Sequence, residues 1–214
     1  MSIFDTLSEH GVVPVIAIDD AKQAVPLADA LLEGGLPVAE ITYRTSAARD
    51  AIAAMAEERP ELVVGAGTVL TEEQADSAKA AGARFALSPG IDAAVLAHAA
   101  SIGLPFAPGI MTPSELQMAL RHDCKMVKFF PAVPAGGPAM LKNIAAPYAH
   151  TGIGFNPTGG VTLANLADWL SMPAVRAVGG TWIAKREDIM AGNWAAISEN
   201  ARAAVARVKE IRSA

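Results

Sequence analysis

The chain has 214 residues, 52% hydrophobic and 18% charged, with a formal net charge of −5. That length supports one substantial core, the apolar share excludes a disordered chain, and an acidic balance without a basic stripe argues against nucleic-acid binding. The single cysteine, Cys124, excludes an intrachain disulfide and fits a reducing compartment.

The opening MSIFDTLSEH lacks the basic and apolar regions of a signal peptide. No apolar run approaches the roughly 18 residues of a membrane span, so a cytoplasmic setting without membrane contact is expected. A short helix is predicted over about 2–10. Short β-branched apolar runs then alternate with alanine-rich helical stretches. The strand candidates are VVPVIAI (12–18), VAEITYR (38–44), LVVGAGT (62–68), FALSPG (85–90), PFAPGI (105–110), MVKFFP (126–131), GFNPTG (154–159) and VRAVGGT (175–181).

The intervening helices carry start and stop signals. TEEQADSAKAAG opens with Thr71 and Gln74 placed for a capping box and closes at Gly82. TPSELQMALRH offers Thr112 as N-cap, Pro113 at the first helical position and Glu115 at the third. ALLEGG and ASIGLP end in glycine, as helix C-termini prefer. An amphipathic terminal helix is predicted over about 193–212. Near-continuous apolar strands alternating with helices imply a parallel sheet covered on its faces. Eight evenly spaced units predict an α/β fold: a small single-domain (β/α)8 TIM barrel over residues 1–214 with an extra N-terminal helix. An open doubly wound sheet is the alternative.

In such a barrel the chemistry lies at the C-terminal strand ends. Lys128 stands in an otherwise apolar run, where an ammonium needs a partner or a task. Glu40, Thr42 and Arg44 are spaced two apart and share one face of their strand. Facing inward, Glu40 can meet Lys128. A purely structural ion pair would fill the same space, yet buried pairs add little stability. Gly159-Gly160 and Gly179-Gly180 follow the seventh and eighth strands, where barrels often bind phosphate through backbone N–H groups; Thr158 and Thr181 add hydroxyls. GAGTVL lacks the third glycine of a dinucleotide loop. It reads as a strand admitting ligand near the wall, with Thr68 as a donor.

His10, His98, His122 and His150 lack metal-ligand spacing. Cys124 reads as an inert thiol, and Trp169 and Trp182 as core. An amine in an apolar barrel loses solvation of its charged form, and the neutral amine attacks carbonyls. The resulting iminium is an electron sink that permits C–C cleavage beside a ketone without a metal. Glu40 is the available acid/base, and Arg44 suits bidentate contact with a substrate carboxylate.

The segments PVIAI, EITYRT, VVGAGTVL, SPG, PGIMTPSE, VKFFPA, PTGGV and VGGTW occur in one order over about residues 12–184. In these the chain resembles the 2-keto-3-deoxy-6-phosphogluconate (KDPG) aldolases, also known as bifunctional 4-hydroxy-2-oxoglutarate aldolases. The resemblance implies a class I aldolase, usually a homotrimer, that releases pyruvate and glyceraldehyde 3-phosphate in the Entner–Doudoroff pathway. It implies no cofactor beyond a covalent Schiff base on Lys128, and a phosphorylated 2-keto acid as the small-molecule partner. Glu40 matches the acid/base. Arg44, Thr68 and Pro89 match the pyruvate end; Thr158, Gly159, Gly160, Gly179, Gly180 and Thr181 match the phosphate end. Val133 stands where such proteins usually carry an acid, which bears on substrate preference, and Thr181 where Ser is common. The rival readings are an aldolase for the galactonate-derived C4 epimer, a sugar-phosphate isomerase or epimerase, and a non-catalytic phosphosugar-binding barrel.

Overall fold

The computed structural model describes residues 2–213; the outer bounds expected at residues 1 and 214 lie outside the described residues. The predicted first helix spans Ile3–His10, with a reciprocal capping box between Ser2 and Asp5 and left-handed Gly11 at its end. The strands are β1 (Val12–Ile16), β2 (Val38–Thr42), β3 (Val63–Gly67), β4 (Ala86–Leu87), β5 (Phe106–Ala107), β6 (Gly109–Ile110), β7 (Met126–Phe129), β8 (Gly154–Pro157) and β9 (Val178–Gly180). All pair in parallel. One sheet runs β5-β4-β3-β2-β1-β9 and the other β6-β7-β8.

These two sheets are arcs of one barrel. The run predicted as a single fifth strand, 105–110, divides at Pro108. Proline has no N–H for the ladder, but the Pro108 carbonyl still accepts from the Lys128 N–H at 2.8 Å. On the other side, parallel bridges Phe155–Val175 and Thr158–Gly179 join β8 to the last strand. The eighth predicted strand is therefore shorter than its apolar run, beginning at Val178 with Val175 held only by a bridge. Counting β5 and β6 as one broken strand, eight parallel strands close around a common interior.

Strand alternation sorts the core into two layers. Inside the barrel, Val13, Val38, Val63, Phe85, Leu87, Ala107, Met126 and Ala177 pack together, and Leu7 of the first helix joins them. That helix plugs the N-terminal end. The outer layer packs the other strand faces on the helices, Phe129 meeting Trp169 with ring centroids 6.5 Å apart. Above the apolar plug, the same inward positions turn polar. Val38 gives way to Glu40 and Thr42, and Met126 to Lys128.

The helix signals hold with one change. Thr112 and Glu115 form the reciprocal box, with Pro113 in the first turn. Thr71 caps Gln74 N–H, but the Gln74 side chain accepts from Leu70 N–H at 2.7 Å, one residue before the box position. The terminal helix spans Trp194–Ser213.

Candidate active site

Lys128 leaves the middle of β7 and Glu40 the middle of β2, and both side chains turn into the barrel. Lys128 Nζ donates to Glu40 Oε1 at 2.9 Å, with the carboxylate wholly buried and the lysine 4% exposed. Glu40 Oε2 is buried with no hydrogen-bond partner among the described residues. The neighbouring strand makes room for this carboxylate: a Cβ at Gly67 would strike it. Lys128 is flanked in register by Gly109 and Asn156. Its ammonium lies 5.8 Å from the centre of the Phe130 ring, within cation–π range.

The other sequence-predicted residues lie at the strand ends. Thr42 is buried and donates to Ile16 O at 2.8 Å; Arg44 sits past the end of β2, exposed, and its Nε donates to Thr42 Oγ1 at 3.1 Å. Arg44 thus stands on a fixed post at the mouth. Thr68 follows β3 with φ +57°, a left-handed conformation that strains a β-branched residue and recurs at functional sites. The carbonyl of Pro89 fills the space a Cβ would need at Gly109.

On the opposite rim, Gly159 and Gly160 have φ of +100° and +82°, open to glycine and costly to other residues. Gly160 lies against Val133 and holds its carbonyl on Asn165 Nδ2 at 3.1 Å. The N–H groups of Gly160 and Thr181 make no backbone hydrogen bond among the described residues. Thr158 is buried; its hydroxyl donates to Asn156 Oδ1 at 2.8 Å and packs where Gly179 has no Cβ. Gly180 lies under the Trp182 ring, and Thr181 is exposed. A Gly160→Ala change forces a Cβ into left-handed backbone and against Val133. We expect it to cost about 1–2 kcal/mol and to raise KM for a phosphorylated substrate while sparing pyruvate binding. Steady-state kinetics beside pyruvate titration checks this split.

Two residues facing this space were not singled out by sequence reasoning: Asn156 and Phe130. Other features stay apart from it. Burial, reinforced by the Asp123 charge, pushes the Cys124 thiol up to about 11, so it stays protonated and unreactive. His98 pairs with Asp76 and Glu72 on the helix surface. A cavity of about 620 Å³ lies behind β8 beside Tyr148, Ile153, Phe155 and Met172. It has no carboxylate in its lining, so the ion pair rather than cavity size locates the chemistry.

The family model for KDPG and KHG aldolases matches residues 3–200. The chain belongs to this aldolase family. It is 44% identical over 198 residues to a 2-dehydro-3-deoxy-phosphogluconate aldolase of Treponema pallidum, covering 92% of this chain and 93% of that one. It is 43% identical over 203 residues to the KHG/KDPG aldolase of Escherichia coli K12, covering 95% and 94%. Among solved structures, a KDPG aldolase of Legionella pneumophila, with pyruvate captured as a covalent carbinolamine, superposes with a TM-score of 0.89 at 39% identity over 94% of this chain and 97% of that one. The aldolase of Zymomonas mobilis ZM4, solved with 3-phosphoglycerate, gives 0.86 at 37% identity over 95% of each chain. Such coverage makes this aldolase a (β/α)8 barrel throughout, consistent with the closure through Pro108 and the β8–β9 bridges.

Proposed function

We propose that this chain is a class I aldolase that cleaves KDPG to pyruvate and glyceraldehyde 3-phosphate, and 4-hydroxy-2-oxoglutarate to pyruvate and glyoxylate. The observation that carries the reading is the buried Lys128–Glu40 contact of 2.9 Å above the apolar plug of the barrel. In our reading Glu40 accepts a proton from Lys128, and the amine lone pair adds to C2 of the keto acid. The C2 carbonyl pair moves onto oxygen, which takes the Glu40 proton; a second proton then passes from the nitrogen through Glu40 to that hydroxyl, which leaves as water as the nitrogen lone pair forms the iminium. Glu40 then takes the C4 hydroxyl proton. The C3–C4 bonding pair moves into the enamine, with the iminium as electron sink, and the aldehyde departs. Glu40 returns a proton to C3, and water releases pyruvate. The iminium supplies the electron sink, so the sequence of steps needs no metal or cofactor.

Arg44 with Thr68 and Pro89 holds the keto acid in this reading. Gly159, Gly160, Gly179, Gly180 and Thr181 cradle the phosphate, while Thr158, whose hydroxyl is donated to Asn156 Oδ1 at 2.8 Å, leads the chain into that cradle. A single barrel domain, a homotrimer and a cytoplasmic setting belong to the same proposal, supported by the family resemblance and the lone cysteine. Incubation with pyruvate and borohydride, followed by peptide mass spectrometry, tests it. A reduced pyruvyl adduct on Lys128 is expected; an unmodified Lys128 at saturating pyruvate removes the Schiff base from this chain.

A further inference from the structure

Asn156 occupies an unusual position for an amide. It lies in the middle of β8, 1% exposed. It pairs in register with Lys128 on the adjacent parallel strand. In-register parallel neighbours direct their side chains to the same sheet face, with strands about 4.8 Å apart. Lys128 points into the barrel onto Glu40, so Asn156 points into the same interior layer.

The orientation of the amide is set from one side. Thr158, two residues onward and on the same face, donates its hydroxyl to Asn156 Oδ1 at 2.8 Å. Thr158 is itself confined, its hydroxyl resting against Gly179, where any Cβ would collide with it. With Oδ1 committed to Thr158, Nδ2 is directed away from it. That Nδ2 is buried and has no hydrogen-bond partner among the described residues. Glu40 Oε2 is likewise buried and unpartnered, and the two residues meet Lys128 from different sides, one by contact and one by register. A buried donor left unmade is destabilising. An apolar side chain at 156 would avoid that cost, and the amide instead aims a donor into the layer that holds Lys128 and Glu40.

We propose that Asn156 Nδ2 donates a hydrogen bond to the C2 oxygen of the keto acid while Lys128 adds to C2, an inference that rests on the aldolase reading above. As the Lys128 nitrogen bonds to C2, the carbonyl π pair collects on that oxygen. Nδ2–H meets the growing negative charge without giving up its proton. The oxygen is then protonated by Glu40 to the carbinolamine hydroxyl; Glu40 next takes a proton from the attacking nitrogen and passes it to that hydroxyl, which leaves as water as the C=N bond forms. The Asn156–Thr158 hydrogen bond holds the amide in place throughout. Because the donor is fixed before charge develops, it lowers the barrier to addition more than it tightens ground-state binding.

The test follows adduct formation at Lys128 over time in the full-length protein, with pyruvate and cyanoborohydride across a range of pyruvate concentrations. Two variants are compared. Asn156→Asp keeps the shape and the acceptor for Thr158 but loses the donor. Asn156→Val is neutral, apolar and suited to a strand. Circular dichroism and thermal melting identify which variants are folded. In each folded variant the maximal rate of adduct formation is expected to fall about 100-fold, the usual scale for loss of one such donor, with the half-saturating pyruvate concentration shifting only about threefold or less. A wild-type rate in either folded variant overturns the role of Asn156 and leaves the aldolase reading standing. Slowing in Asn156→Asp with a normal rate in Asn156→Val assigns the effect to the new charge and also overturns it. Absence of any adduct in the unaltered protein removes the aldolase reading and this inference together.

Discussion

Lys128→Met is expected to abolish aldol cleavage and pyruvate trapping together, lowering turnover by at least about 10⁴, in the range seen when a covalent nucleophile is removed. The stability consequence is separate and informative. Lys128 and Glu40 are buried against each other. Methionine leaves Glu40 Oε1 without its donor beside an Oε2 that has none. Removing one member of such a pair costs about 3–5 kcal/mol. The double variant Lys128→Met, Glu40→Met replaces both charges by apolar groups of similar volume and should recover that loss, matching the parent or exceeding it by about 1–4 kcal/mol. Urea unfolding of the three proteins, beside an aldolase assay, checks both halves. A stable but inactive double variant would mean the pair serves chemistry at the expense of stability. Turnover retained by Lys128→Met would rule out the amine as nucleophile.

Much of this was legible because strand and helix periods are local. Eight apolar runs at regular spacing gave the barrel without knowledge of any contact. A lysine inside an apolar run, and a carboxylate sharing a face with Thr42, marked the two interior charges. Their meeting across 88 residues follows from barrel closure, which sets opposite strands around one interior. What escaped notice depended on details the runs conceal. PFAPGI is apolar throughout, so the break at Pro108 shows only in the ladder, where the missing N–H separates β5 from β6. Thr68 looks like an ordinary strand residue, and its left-handed φ arises where the chain leaves β3 beside Gly67. Gln74 stands at the box spacing from Thr71, but loop geometry brings Leu70 N–H closer. Asn156 carried the same signal as Lys128, a polar group inside an apolar strand. In GFNPTG it stands among turn-forming residues, so a loop accounts for it as readily as a buried strand. Periodicity places elements; the partners of buried polar atoms require the packed interior.

Glu40→Gln separates proton transfer from nucleophilic attack. The carboxylate is confined on one side by Lys128 and on another by Gly67, whose missing Cβ leaves the space it fills. Glutamine has the same shape and retains an oxygen for Lys128 Nζ, so the fold and the mouth of the barrel should persist. What is lost is a group that alternately takes and returns a proton. Glu40 Oε2, buried and unpartnered among the described residues, is the oxygen that takes the C4 hydroxyl proton in the proposed mechanism. General acid–base catalysis is worth about 10²–10⁴ in rate, and in the proposed mechanism the same carboxylate serves iminium formation, C–C cleavage and enamine protonation. We expect kcat to fall toward the upper end of that range, about 10⁴-fold, with KM changed far less. Borohydride should still trap pyruvate on Lys128, more slowly. Exchange of the bound pyruvate methyl protons with deuterated water, followed by proton NMR, should slow in parallel with cleavage, since both run through the enamine. Exchange at the normal rate with cleavage lost would confine Glu40 to the C4 hydroxyl step and require another residue to protonate C3. Normal rates of both would exclude Glu40 as the shuttle, leaving a buried carboxylate whose only task is to hold Lys128 in place.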